Sequence, residues 1–181
     1  MNKKIMMISI TLLAISLLVI PTVSACRNRR NKKYSVEPYT GSADIQLVDP
    51  GKVRVVHGIL YIKDSYWKGT SQGSTPPAFP YERWYTIILN LKTGRGIWIA
   101  RAKTTIEVAP GVVIGTFEGG GFGKITDYVF SSGFVKVTGT GAVEGVIVKG
   151  SMRNEIVDGD WVTVGSHALT EVTGWTYTPI E

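Results

Sequence analysis

From about Ala43 onward the chain repeats one pattern, a short β-branched or aromatic run followed by a glycine-containing turn. Ile45 to Val48 ends at Asp49-Pro50-Gly51, a turn signal, and Lys52 to Lys63 reads as a strand with a bulge at Gly58. Trp84 to Leu91 alternates strictly, with Tyr85, Ile87, Leu89 and Leu91 on one face and Trp84, Thr86, Ile88 and Asn90 on the other. Lys92-Thr93-Gly94 then turns the chain, and Gly96 to Ala102 returns as the hairpin partner. Further strands are predicted over 104–108, 112–118, 123–130, 134–140, 142–152, 161–166 and 169–177, punctuated by Ala109-Pro110-Gly111 and Asp158-Gly159-Asp160. No stretch of this body carries a helical apolar stripe, and 21 glycines argue against long helices.

About ten short strands at near-regular spacing predict an all-β domain, a single antiparallel β-barrel of about eight to ten strands, with a β-sandwich as the alternative. Glycines inside strands, such as Gly115, Gly139 and Gly174, suit the tight bends of a closed barrel and favour that form. The run Gly139-Thr-Gly141-Ala-Val-Glu-Gly145, with Gly150 after it and Thr116-Phe117-Glu-Gly-Gly-Gly-Phe122 before it, resembles the small barrels of the allene-oxide-cyclase-like and dirigent superfamily. The resemblance spans about residues 110–170. It implies an eight-stranded barrel whose apolar interior holds a ligand, and it carries over no catalytic residue.

The N-terminus has another character. Lys3 and Lys4 precede an uncharged run from Ile5 to Ile20, Pro21 follows, and Val23-Ser24-Ala25 places small residues before the lone Cys26. This is the three-part pattern of a signal peptide, 1–25, preferred over a permanent anchor because the run is short for a span of about 20 residues. Val23-Ser24-Ala25-Cys26 is also similar to a bacterial lipobox, which implies lipid attachment at Cys26; ordinary cleavage that leaves a free thiol is the alternative. Residues 26–40 read as a basic tether, with Arg27, Arg29, Arg30, Lys32 and Lys33 set to meet an anionic membrane or envelope surface. Five positive charges after the apolar run work against translocation, a tension the cleavage motif and the β-rich body outweigh. The expected location is extracellular or at the cell surface. Residues 41–181 form the barrel domain.

The formal charge of +6 suggests nucleic acid until it is located. Seven of the 20 basic residues precede Tyr34, leaving 13 against 14 acidic ones, so the body is slightly acidic and no nucleic-acid partner is expected.

Candidate chemistry in the body is sparse. The stretch from Gly119 to Thr126 departs from a phosphate loop, with Glu118 at its first glycine position and Ile125 where a hydroxyl belongs, and reads as a hairpin turn. His57 and His167 stand 110 positions apart with no nucleophile-elbow spacing, so each reads as a structural histidine. Asp158-Gly159-Asp160 reads as a turn rather than a calcium loop. No catalytic residue, metal site or cofactor is predicted.

The most unusual stretch is Asp64 to Arg83, which has loop composition yet carries Tyr66, Trp67, Phe79 and Tyr81 and leads into Trp84. A loop of this length is often a binding loop, and these five aromatics are the candidate ligand-binding residues for an apolar or sugar ligand. The alternative is an Ω-loop whose aromatics plug the barrel end. The expectation is thus an exported, tethered, non-catalytic barrel that binds a small apolar or carbohydrate ligand or an envelope partner. An isomerase or hydrolase acting inside the barrel, or a structural envelope protein, are the other readings. An open apolar cavity favours binding, a cluster of buried ionisable groups favours an enzyme, and a solid interior favours the structural role.

Overall fold

The computed structural model describes residues 23–27, 33–73 and 77–180. The apolar run of the expected signal peptide, together with Arg29, Arg30 and Lys32, lies outside the described residues. The described residues are all β: β1 (Val23–Arg27), β2 (Lys33–Asp49), β3 (Lys52–Val56), β4 (Ile59–Gln72), β5 (Phe79–Asn90), β6 (Arg95–Ala109), β7 (Val112–Thr126), β8 (Val129–Gly141), β9 (Ile147–Asp158) and β10 (His167–Ile180).

From β4 to β10 each strand pairs antiparallel with the next, β10 pairs with β2, and β2 pairs with β4. That last pairing closes a ring of eight strands, with β1 and β3 added on β2 and β4, so the sheet is a barrel and not a sandwich. Following paired residues around the ring leads from Leu47 through Trp67, Arg83, Ala102, Gly119, Val137, Val148 and Thr176 back to β2 at Glu37. The path returns ten residues earlier on the same strand, which is the stagger that tilted barrel strands require. Eight strands enclose a space that side chains just fill or that holds one small ligand.

Several predicted turns are present. Asp49 Oδ1 accepts the Gly51 N–H at 2.8 Å, and Asn90 Oδ1 accepts those of Lys92 and Thr93 at 2.9 and 3.1 Å. Other boundaries differ from the pattern-based ones. Gly58 is not a bulge: His57 and Gly58, both with positive φ, form the two-residue turn between β3 and β4, a conformation that suits hairpins. Gly119 to Gly121 are not a turn but the middle of β7, where a Cβ at Gly119 would stand 2.1 Å from the Lys136 carbonyl oxygen. Residues 161–166 form a loop rather than a strand. β2 starts at Lys33, ahead of Ala43, because its first half pairs along β10.

One half of the interior is packed solid. Trp67, Tyr85, Trp98 and Phe130 are buried there with Ile45, Leu47, Ile62, Ile87 and Ile125. Trp161 enters from the β9–β10 loop and stacks on Phe130 with ring centroids 3.8 Å apart. Asp160 fixes this loop: its Oδ1 accepts the N–H groups of Val162 and Thr163, both at 2.7 Å, and the bond from Val162 is the main cause of its depressed pKa. Trp98 lies flat against the missing side chains of Gly123 and Gly133; a Cβ on Gly133 would meet Trp98 Cζ2 at 2.2 Å and the Phe122 carbonyl oxygen at 2.4 Å. Gly133→Ala is therefore expected to cost about 1–3 kcal/mol through overpacking, read as a lower urea midpoint.

Candidate ligand cavity

The other half of the barrel is open. A cavity of about 300 Å³ runs inward between β2, β4–β6 and β7–β10. That volume is at the lower end of those that hold small ligands. Its walls are mostly apolar, with Ile106 on β6, Phe117 on β7, Val135 and Val137 on β8 and Val148 on β9. The glycine run of the sequence becomes the β8–β9 hairpin at its edge: Gly141 and Gly145 take positive φ in the turn, and Val143 and Val146 between and after them line the cavity. Tyr39 folds over Gly41, where a Cβ would meet its hydroxyl, and burial raises the Tyr39 pKa.

Polar groups gather where the cavity meets the packed half. Tyr81, Arg83 and Tyr85 alternate inward along β5, so the strand itself carries a guanidinium into the barrel. Arg83 is 3% exposed. Its Nη1 donates to Tyr85 Oη at 2.7 Å and to Thr170 Oγ1 at 3.0 Å. Asn154 Nδ2 donates to the same Tyr85 oxygen at 2.9 Å, and Thr170 donates to Asn154 Oδ1 at 2.8 Å. The Arg83 Cζ also lies over the Tyr81 and Tyr85 rings, 4.9 and 5.4 Å from their centroids. Among the described residues no carboxylate stands within 4.0 Å of this guanidinium, and its Nε has no hydrogen-bond partner.

The burial that surrounds Arg83 works against its charge, but Tyr81 and Tyr85 outweigh that and hold its pKa above the ordinary value. Burial pushes the Tyr81 hydroxyl up to about 12, with Arg83 pulling the other way, and raises Tyr85 also. Both tyrosines are thus neutral donors and acceptors at physiological pH. In the unfolded chain they ionise near 10, before the folded protein releases its protons, so stability is expected to hold below pH 10 and to fall as pH rises toward 12. Urea midpoints between pH 8 and 12 test this, and Tyr81→Phe is expected to flatten the decline.

The five aromatics proposed from sequence are divided by the strand alternation. Asp64 to Arg83 is not a structureless loop: most of it belongs to β4 and β5, whose residues pair from Ser65 opposite Tyr85 to Ser71 opposite Phe79. Phe79 and Tyr81 face the cavity. Trp67, on the interior of β4, is fully buried in the packed half, where it lies edge-on to Tyr85. Tyr66 and Trp84 sit on the outer face and stack on each other at 5.3 Å, with Tyr66 donating to Glu82 at 2.6 Å. Cys26 lies on β1, opposite Tyr34 of β2. His57 is in the β3–β4 turn, and His167 pairs with Asp44 across β10 and β2.

Sequence reasoning passed over Arg83, Thr170 and the cavity valines. The available signal was the inward set Tyr81, Arg83, Tyr85, Ile87, Leu89, an arginine on an otherwise apolar face; extending the strand back past Trp84 exposes it.

No family model and no curated protein matches the chain. Two pterocarpan synthase dirigent proteins match it in structure. One has 8% sequence identity and a TM-score of 0.38, covering 79% of this chain and 97% of its own. The other has 10% identity and a TM-score of 0.36, covering 88% and 95%. The resemblance to dirigent-type barrels stated from the glycine run is found here as well. At these identities and TM-scores the likeness transfers no site residue.

Proposed function

We propose that this protein is an exported, non-catalytic binding barrel that takes a small apolar ligand into the open half of its interior. The observation that carries this reading is the asymmetry of the barrel: one half is closed by stacked aromatics, while the other keeps a mostly apolar cavity of about 300 Å³ open at its end. A purely structural barrel gains nothing from leaving that space unfilled, since filling it with side chains adds stability. The test is titration with N-phenyl-1-naphthylamine, whose fluorescence rises in apolar surroundings. Saturable binding is expected in the wild type. Val137→Trp, which fills the cavity, is expected to weaken it at least about tenfold, and Trp84→Ala on the outer face to leave it unchanged. Binding that survives Val137→Trp places the ligand elsewhere.

An enzymatic reading, an isomerase or hydrolase inside the barrel, draws on the buried Tyr81–Arg83–Tyr85 cluster. Raised tyrosine pKa values make these groups acids or hydrogen-bond donors rather than bases at neutral pH, which suits holding a guest better than deprotonating one.

Export and tethering are part of the proposal and rest on the sequence: the apolar run after Lys3 and Lys4, the small residues before Cys26, and the basic cluster from Arg27 to Lys33. Mass spectrometry of the native protein is expected to show a chain starting at Cys26. A diacylglycerol mass on Cys26 means a lipid anchor, an unmodified thiol means simple secretion, and an intact Met1 overturns cleavage.

A further inference from the structure

The ligand's charge follows from what stands at the inner end of the cavity. A guanidinium removed from water is costly unless it is paired, and proteins pair such groups almost without exception. Arg83 is only partly compensated: its hydrogen bonds go to the neutral hydroxyls of Tyr85, Thr170 and Tyr81, and among the described residues its Nε has no partner. Among the described residues the cavity carries one other charged side chain, Glu37, and it lies toward the far end. Glu37 pairs with Thr176, six residues along β10 from Thr170, or roughly 20 Å of extended strand. The inner end of the cavity is therefore positive, and the walls leading to it are mostly apolar.

We infer that the ligand is a small amphiphilic anion, a carboxylate or similar acid on an apolar body, bound head-inward with its acid group on Arg83 and its apolar part against Ile106, Phe117, Val135, Val137 and Val148. This rests on the reading of the cavity as a ligand site and adds the class of ligand. The guanidinium N–H groups not spent on Tyr85 and Thr170 supply charge-assisted donors, and the neutral Tyr81 hydroxyl that lines the cavity beside them can donate to the same anion without repelling it. A neutral ligand of the same shape can accept a hydrogen bond from Arg83 but brings no opposite charge to it.

Octanoate and octanamide, alike in shape and different in head charge, provide the test by isothermal titration calorimetry at pH 7. Wild-type protein is expected to bind octanoate at least about tenfold more tightly than octanamide, the preference one charge-assisted pair gives. Arg83→Met is expected to erase the preference, so that octanoate binds no more tightly than octanamide to the variant. Equal affinities in the wild type, or a preference that survives Arg83→Met, overturn the acid-binding inference and leave a barrel that binds apolar ligands. Failure of octanoate, octanamide and N-phenyl-1-naphthylamine alike overturns the binding reading itself. Should Arg83→Met fail to give a cooperative melt, the wild-type pair still decides, and Arg83→Lys is expected to keep the preference for octanoate in reduced form because the charge remains while the planar fork is lost.

Discussion

A charged side chain placed inside a β-barrel has to be solvated by the barrel, and that requirement organises the interior of this protein. Arg83 reaches the inside because it alternates with Tyr81 and Tyr85 on β5. Its neighbours then have to supply what water would. Tyr85 and Thr170 accept its hydrogen bonds, Asn154 ties those two acceptors to each other, and the rings of Tyr81 and Tyr85 offer their faces. Four strands are joined through this layer: β5, β9 and β10 by hydrogen bonds, and β4 through Trp67 packed on Tyr85. A polar network in a low-dielectric interior is costly when incomplete, so it fixes side-chain positions on both of its sides.

The division into a packed and an open half follows from how side-chain size changes along the inward positions. On β6 the inward series runs Trp98, Ala100, Ala102, Thr104; on β4 it runs Ile62, then Ser65 and Trp67, then Gly69 and Ser71. β2 runs from Leu47 and Ile45 to Ala43 and Gly41. On these three strands the large residues sit on one side of the Arg83 layer and the residues next to it on the other side are small. The cavity is thus the sum of many small inward residues rather than a single missing side chain. Its apolar walls come from the strands across the barrel, where Val135, Val137 and Val148 reach in.

Much of this was legible beforehand, and the failures share one cause. Strict alternation from Trp84 onward and the turn signals at Asp49-Pro50-Gly51 and Lys92-Thr93-Gly94 pointed to β5, its hairpin and the barrel class, because period-two burial and turn chemistry are local signals. Asp64 to Arg83 misled because Gly, Ser and Pro are loop formers by local preference, whereas in a barrel small residues also serve inward positions where a strand or a ligand comes close. Gly119 to Gly121 misled in the same way: they lie within β7, against the carbonyls of both neighbouring strands. Trp161 misled in the opposite sense, since β-branched neighbours gave its loop the look of a strand while Asp160 and Ser166 bent it into a plug. Where tertiary closure decides a residue's conformation, composition within a short window does not contain the answer.

Charge shows the same separation between local and global. The positive excess of the whole chain belongs to the residues before Tyr34, and the remainder is slightly acidic, so the domain's own field offers little steering to a charged ligand in solution. Arg83 acts differently. Screened by water and salt it would matter little, but at the inner end of an apolar barrel its interaction with an anion is strong and short in range. Recognition of this kind sets how long a ligand stays rather than how fast it arrives, because the charge is felt only once the ligand has lost its water and entered. An unassuming surface around a charged interior is consistent with a protein that discriminates inside the barrel and not at its mouth.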